Sequence, residues 1–183
     1  MLHAATVAIV SDTHGFLDPR IVKIIHDCLY AVHAGDVMAA SVLDAMRPRS
    51  GRVIAVAGNN DVPEKWSEFE IDIMQQLPQV AELELPGGIL VIEHGHRHGH
   101  HAPRHDLLRR THPHARAIVY GHSHQLVCDQ DKLPWVINPG AAGRVRTHGG
   151  PSCLVLTATR EQWSFTPHRF ALHVDDVVAR DRM

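Results

Sequence analysis

Residues 6–15 read TVAIVSDTHG. The first five are apolar or β-branched, too few for a helix and without the 3.6-residue spacing of one, so they predict a buried β-strand. The strand ends abruptly in a polar cluster, and Gly15 permits the tight turn the chain needs on leaving a sheet. Asp12 and His14 stand two residues apart, so in extended backbone both side chains point the same way. The same design recurs along the chain: YAVHA before GD (30–36), RVIAVA before GNND (52–61), ILVIE before HGH (89–96) and AIVY before GHSH (117–124). In open α/β sheets ligands bind beyond the carboxyl ends of the strands, so these polar ends are expected to converge.

Helical patterns lie between the runs. Asp18 is suited to cap a helix with Pro19 at its first position, and Ile21, Ile24, Ile25, Cys28 and Leu29 then fall on one face. Residues 39–47 and 105–111 are shorter helix candidates. Residues 82–85 and 89–93, joined by Pro-Gly-Gly, read as a hairpin. Residues 125–129, 135–138, 153–159 and 162–168 read as further strands. Many strands with few helices predict an α/β fold of two packed, mixed β-sheets flanked by helices.

The length of 183 residues suits a single domain, 1–183, able to bury roughly 70% of its unfolded surface. A hydrophobic fraction of 44% and a charged fraction of 21% are those of a globular protein, and a formal charge of -2 leaves no footprint for nucleic acid or an anionic membrane. Cys28, Cys128 and Cys153 are odd in number and widely spaced, which suits reduced thiols and a cytoplasmic location. The N-terminal run lacks a basic start, so no signal peptide is expected, and no apolar stretch approaches the ~20 residues of a membrane span. Exposed apolar edges make a homodimer or higher homo-oligomer the expected assembly. The outlying number is 17 histidines, five of them within EHGHRHGHH, residues 93–101.

The strand-end donors are Asp12, His14, Asp36, Asn59, His94, His122 and His124. Carboxylate, imidazole and amide oxygen suit Mn²⁺, Fe²⁺ or Zn²⁺ better than they suit the thiolate sites of structural zinc. They are too many for one such ion and enough for two if a carboxylate bridges. D-x-H, G-D, G-N-x-D, H-G-H and G-H-x-H, in this order and with N-P-G-A (138–141) after them, resemble the calcineurin-like metallophosphoesterases, nearest in length to the short single-domain bacterial and archaeal phosphodiesterases. The resemblance implies a four-layer α/β/β/α sandwich. It implies one metal on Asp12, His14, Asp36 and His124, and a second on Asp36, Asn59, His94 and His122, with Asp36 bridging. It implies two divalent ions per chain, Mn first, with Zn, Fe or Ni as alternatives. The expected activity is hydrolysis of a small phosphodiester, with monoesters also open, by a hydroxide held between ions roughly 3.5–4 Å apart.

The sequence departs from the family where many relatives carry histidine directly after the metal-binding asparagine. Here that position is Asn60, whose amide can donate to a phosphate oxygen, a substrate-binding role, but cannot deliver a proton near neutral pH. His96 is the nearest alternative acid. Asp61 either caps the following segment or assists catalysis by holding the site together. His33 is expected in the core or behind the ligands, and Arg144 in solvent. His98, His100, His101 and His105 have no counterpart in the family pattern and are expected in a flexible rim loop. Two other functions stand beside the enzyme: a protein-binding scaffold of the same fold, like the small retromer subunit, and a histidine-rich metal buffer. The first has lost site residues that are intact here, and the second leaves Asp12, Asp36 and Asn59 unexplained.

Overall fold

A computed structural model of the chain describes residues 3–172. Strands β1 (Ala4–Val10), β2 (Tyr30–His33) and β3 (Val53–Ala55) are parallel neighbours, and β9 (Ser152–Thr159) and β10 (Trp163–Arg169) extend their sheet antiparallel on the β1 side. The second sheet has the order β4-β5-β6-β8-β7. In it β5 (Gly88–Glu93), β6 (Ala117–Val119) and β8 (Trp135–Pro139) are parallel, and β4 (Val80–Leu85) and β7 (Leu126–Asp129) form antiparallel edges. Both sheets are therefore mixed, as the sequence predicts.

The first strand shows why its run is apolar throughout. Val7 and Ile9 point into the layer between the sheets, where they meet Val32, Leu90, Ile92, Val119, Ile137 and Trp163. Ala8 and Val10 point the other way, onto Ile21 and Ile25 of helix α1 (Pro19–Asp27) and Val42 of α2 (Ala40–Ala45). Alternate residues on a strand face opposite sides, so a strand buried on both faces must be apolar at every position. On the second sheet Val91, Ile118 and Val136 pack outward against Leu108 of α4 (His105–Thr111). The result is four layers, α/β/β/α.

The α1 signals hold in detail. Asp18 accepts a hydrogen bond from Arg20 N at 2.9 Å, Pro19 opens the helix, and Ile21 and Ile25 are fully buried. Burying two such side chains contributes about 3–6 kcal/mol. The segment after β3 carries no regular pattern in the sequence. Residues 63–65 and 68–70 form 3₁₀ turns that lead into α3 (Ile71–Gln75). Trp66 and Met74 anchor it to the layer under α1. Two well-separated anchors leave no helical period to read. No helix among the described residues is long and apolar enough to cross a membrane.

Candidate metal centre

Each donor sits just past the end of a parallel strand. Asp12 and His14 follow β1, Asp36 follows β2, Asn59 follows β3, His94 follows β5, and His122 and His124 follow β6. Among the described residues, one group of His, Cys, Asp and Glu side chains brings its ligand atoms within 4.8 Å of one another: Asp12, His14, Asp36 and His124. His14 Nε2 lies 3.7 Å from Asp36 Oδ2, and His124 Nε2 lies 3.4 Å from Asp12 Oδ1. Asp36 turns its other oxygen, Oδ1, to His94 Nε2 at 3.4 Å. Asn59 Oδ1 stands 3.1 Å from that same His94 nitrogen and 3.0 Å from His122 Nδ1. Asp36 thus lies between the two expected donor sets.

The backbone bends sharply to bring them there. Asp12, His14, Asp36, His122 and His124 all have left-handed φ angles between 46° and 67°. That region is uncommon for residues with a Cβ, and its cost, about 1 kcal/mol or more each, persists only where surrounding structure imposes it. Two glycines allow the close approach. A Cβ on Gly58 would overlap the Asp36 carboxylate, and one on Gly121 would overlap Ser11 Oγ.

Three of the four histidines are aimed by a hydrogen bond on the nitrogen facing away from the centre. His94 Nδ1 donates to the Ala34 carbonyl (2.8 Å), His124 Nδ1 to Val145 (3.1 Å) and His122 Nε2 to His100 (2.9 Å). His14 Nδ1 contacts Met38 Sδ at 3.2 Å. A carbonyl can only accept, so a proton belongs on the outer nitrogen, and the inner one offers a lone pair once the ring is neutral, as a metal ligand requires. His14 Nε2 and His124 Nε2 face each other at 3.2 Å, and Asp12 Oδ2 is buried without a hydrogen-bond partner. Two imidazole nitrogens turned on one another beside an unsatisfied carboxylate oxygen are a good arrangement for a divalent cation.

The titration behaviour follows from burial and these contacts. Burial pushes Asp12 up to about 7, with Asp36 adding to the rise and His94 opposing it. Burial also disfavours charge on Asp36, but hydrogen bonds from His94 and Asn60 outweigh it and hold that carboxyl well below the ordinary range. Burial works against charge on His94, yet Asp36 and Asp12 raise it to about 9. His124 falls to about 4 through burial and then the neighbouring Arg146 cation. His14 and His122 are also lowered, chiefly by burial.

Asp61 accepts from the backbone N–H groups of Val37 (3.2 Å), Met38 (2.9 Å) and Gly58 (2.8 Å), and from Trp66 Nε1 (3.0 Å). It ties the turn carrying Asp36 to the turn carrying Asn59. Asn60 donates from its backbone N and from Nδ2 to the two oxygens of Asp36, at 2.8 and 2.6 Å, while its Oδ1 accepts from Lys65 Nζ. Its Oδ1 and one of its two Nδ2 hydrogens are thus spent on protein partners. His96 is half-buried, with its ring 5.5 Å from His94 and 6.3 Å from His122, and its Nδ1 has no hydrogen-bond partner. His33 lies behind the ligands as expected, accepting from Gly35 N at Nδ1 and meeting Thr13 Oγ1 at Nε2, and burial drives it down to about 3.

The histidine tract is more ordered than its composition suggests. Glu93 is buried, and its carboxylate lies 2.9 Å from His98 Nε2 and 3.0 Å from His112 Nε2. His105 is fixed between Asp129 (2.6 Å) and the Tyr120 hydroxyl (3.1 Å), and the His100 carbonyl aims His122. Remote partners that composition cannot reveal hold these residues in place. Arg144 stacks on Phe16, its Cζ 3.8 Å from the ring centroid. Two cations near the centre escape a sequence reading, Lys65 on Asn60 and Arg146, whose Nη2 is 3.3 Å from His124 Nε2. No motif marks either of them.

Residues 6–161 match the calcineurin-like phosphoesterase superfamily domain. The phosphodiesterase MJ0936 of Methanocaldococcus jannaschii is 27% identical over 165 residues, covering 86% of this chain and 95% of that protein. A single mutant of Vps29 from Entamoeba histolytica superposes with a TM-score of 0.71 at 16% identity, over 92% of this chain and 99% of its own. The structure of a novel archaeal phosphodiesterase gives 0.64 at 23% identity, over 89% and 99%. At such identities the two structures speak for the fold, whereas the domain match takes in all five motif-bearing strand ends. The chain belongs to the calcineurin-like phosphoesterase superfamily.

Proposed function

We propose that this single-domain, cytoplasmic protein is a phosphodiesterase dependent on two divalent cations, Mn²⁺ foremost, acting on a small phosphoester. One observation carries the reading: side chains from five strand ends in both sheets meet around Asp36, with the outer nitrogens of His94, His122 and His124 hydrogen-bonded to backbone carbonyls. Asp12, His14, Asp36 and His124 would hold one cation, and Asp36, Asn59, His94 and His122 the other. Bound there, the pair would lower the pKa of water toward ~7 and neutralise the phosphate charge.

The chain's own residues do the rest. Asp36 joins the two donor sets through its separate oxygens, and Asn60 fixes that carboxylate with two hydrogen bonds. Asp61 acts as a positioning residue through the turn amides it gathers. His96 stands beside His94 and His122, where its ring can meet a substrate oxygen. The likeness to Vps29 supports a binding scaffold only at the level of fold, and the complete donor set favours chemistry.

The test is turnover of an aryl phosphodiester and its monoester by metal-stripped protein, with Mn²⁺, Zn²⁺, Ni²⁺ or Mg²⁺ restored one at a time. Metal-dependent diester hydrolysis with two ions bound per chain is expected. Two bound ions with no turnover on either ester would favour the scaffold.

A further inference from the structure

We propose that Lys65 is a catalytic residue that meets the leaving oxygen of the substrate and extends the site to phosphodiesters with alkyl leaving groups. The proposal rests on the phosphodiesterase reading above. It begins from a chain of contacts that leads outward from the centre. Asp36 is 1% exposed and belongs to both donor sets. Asn60 grips both of its oxygens and in turn holds the Lys65 ammonium on Oδ1. Asn60 is half-buried and Lys65 exposed, so burial decreases step by step from the carboxylate to the ammonium.

The segment carrying Lys65 is held firmly. Lys65 closes the first 3₁₀ turn after β3, its N–H donating to the Val62 carbonyl at 3.0 Å. The next residue, Trp66, is buried and donates to Asp61, which gathers the turn amides around Asp36 and Asn59. Backbone, tryptophan and Asn60 together bring this side chain to the rim of the centre. An ammonium has three N–H donors, and Asn60 Oδ1 takes one of them.

The chemistry places the leaving group on this side. In an in-line displacement the nucleophile and the leaving oxygen lie on opposite faces of phosphorus. A nucleophile generated among the buried donors attacks from within, so the leaving oxygen departs toward solvent, where Lys65 stands. As water adds to phosphorus it gives up a proton to solvent, the P–O bond to the leaving group breaks and its electron pair stays on that oxygen. An Nζ proton passes to the oxygen, and the amine regains a proton from solvent. An alkoxide is a far stronger base than an amine, so the transfer runs downhill and matters most for alkyl leaving groups. Neither other neighbour serves as well. Arg146 sits on His124 and its guanidinium does not deprotonate, and the Nδ1 of His96 is buried.

The experiment compares kcat/KM of the Mn²⁺-loaded wild type with Lys65→Ala, Lys65→Arg and Asn60→Ala on methyl aryl phosphates of graded phenol acidity and on a dinucleoside monophosphate. Lys65→Ala should lose a few-fold with the most acidic phenol, rising to about 100-fold with the alkyl ester. Lys65→Arg should stay close to Lys65→Ala on the alkyl ester. The losses of Lys65→Ala and Asn60→Ala should not add in the double variant, because one residue holds the other. Melting temperature and bound Mn²⁺ should be those of wild type in Lys65→Ala. A loss equal across all esters, no loss, or full activity in Lys65→Arg would overturn the assignment while leaving the phosphodiesterase intact. If the wild type hydrolyses none of the diesters with any metal, the reading beneath it fails and the role of Lys65 falls with it.

Discussion

Replacing Asp36 by asparagine removes one negative charge and little else in shape, which makes it the sharpest test of the shared centre. Asp36 is 1% exposed, and its oxygens lie 3.4 Å from His94 Nε2 and 3.7 Å from His14 Nε2. A unit charge pair at ~4 Å in an effective dielectric near 20 is worth about 4 kcal/mol, and a divalent ion doubles that. The amide oxygen remains as a donor and restores a part. The net loss is about 4 kcal/mol per cation, or about three orders of magnitude in affinity. Geometry adds a second penalty. Asn60 gives one N–H to each oxygen of Asp36, and an asparagine can accept only one of them. Flipping the Asn60 amide would turn its NH₂ against Lys65. The folded state should therefore lose about 1–3 kcal/mol as well. Calorimetric titration of Mn²⁺ into stripped protein measures the first effect, kcat/KM on a diester follows it, and thermal melting without metal measures the second. An asparagine variant that binds two Mn²⁺ with wild-type affinity would refute the bridging role of Asp36.

Four further outcomes follow from the same contacts. Asp12, at about 7, and His94, at about 9, must each release a proton to ligate, so Mn²⁺ affinity should rise from pH 6 to 9. Titration in buffers of different ionisation enthalpy should show about two protons released at pH 6 and about one at pH 8. For folding, the raised His94 contributes stability present below its unfolded value of 6.5 and lost as pH rises through 9, so the metal-free melting temperature should fall over that window. Asp61→Asn deprives at least one turn amide or Trp66 of its acceptor, which should cost about 2–4 kcal/mol and shift Trp66 emission to the red; an unchanged melting temperature would remove Asp61 from the positioning role. His98→Ala leaves the buried Glu93 with one histidine and should cost about 1–3 kcal/mol, whereas His101→Ala, at an exposed position, should leave melting and turnover within a few-fold; equal effects in thermal melts would return the tract to a passive loop.

Much of this architecture can be read from residues alone, and the limits have physical causes. The β1 run is apolar on both faces because both faces are covered, and α1 carries its own start signal in Asp18 and Pro19 with Ile21 and Ile25 at helical spacing. The donors are legible because each ends a strand, and strand ends in parallel sheets lie together. The loops around them are not. Lys65 reaches Asn60, Glu93 reaches His112, and Arg146 reaches His124 through side chains whose pairing has no period. Residues 96–105 look like a polar run with excess histidine until the buried carboxylate of Glu93 and the Asp129–Tyr120 pair are seen to hold them. Asn60 illustrates the same limit, since its contacts with Asp36 and Lys65 leave no signal in the sequence.

The left-handed turns have a consequence for how such a protein can change. Asp12, His14, Asp36, His122 and His124 occupy backbone conformations that glycine adopts freely and asparagine tolerates well. Exchanging one of the three histidines for glycine would relax its turn while deleting a donor of the proposed centre. Local backbone stability and the proposed metal binding would therefore pull against each other at these turns. A chain released from the need to bind cations could take glycine at such a turn and gain a firmer local fold at the expense of the proposed centre.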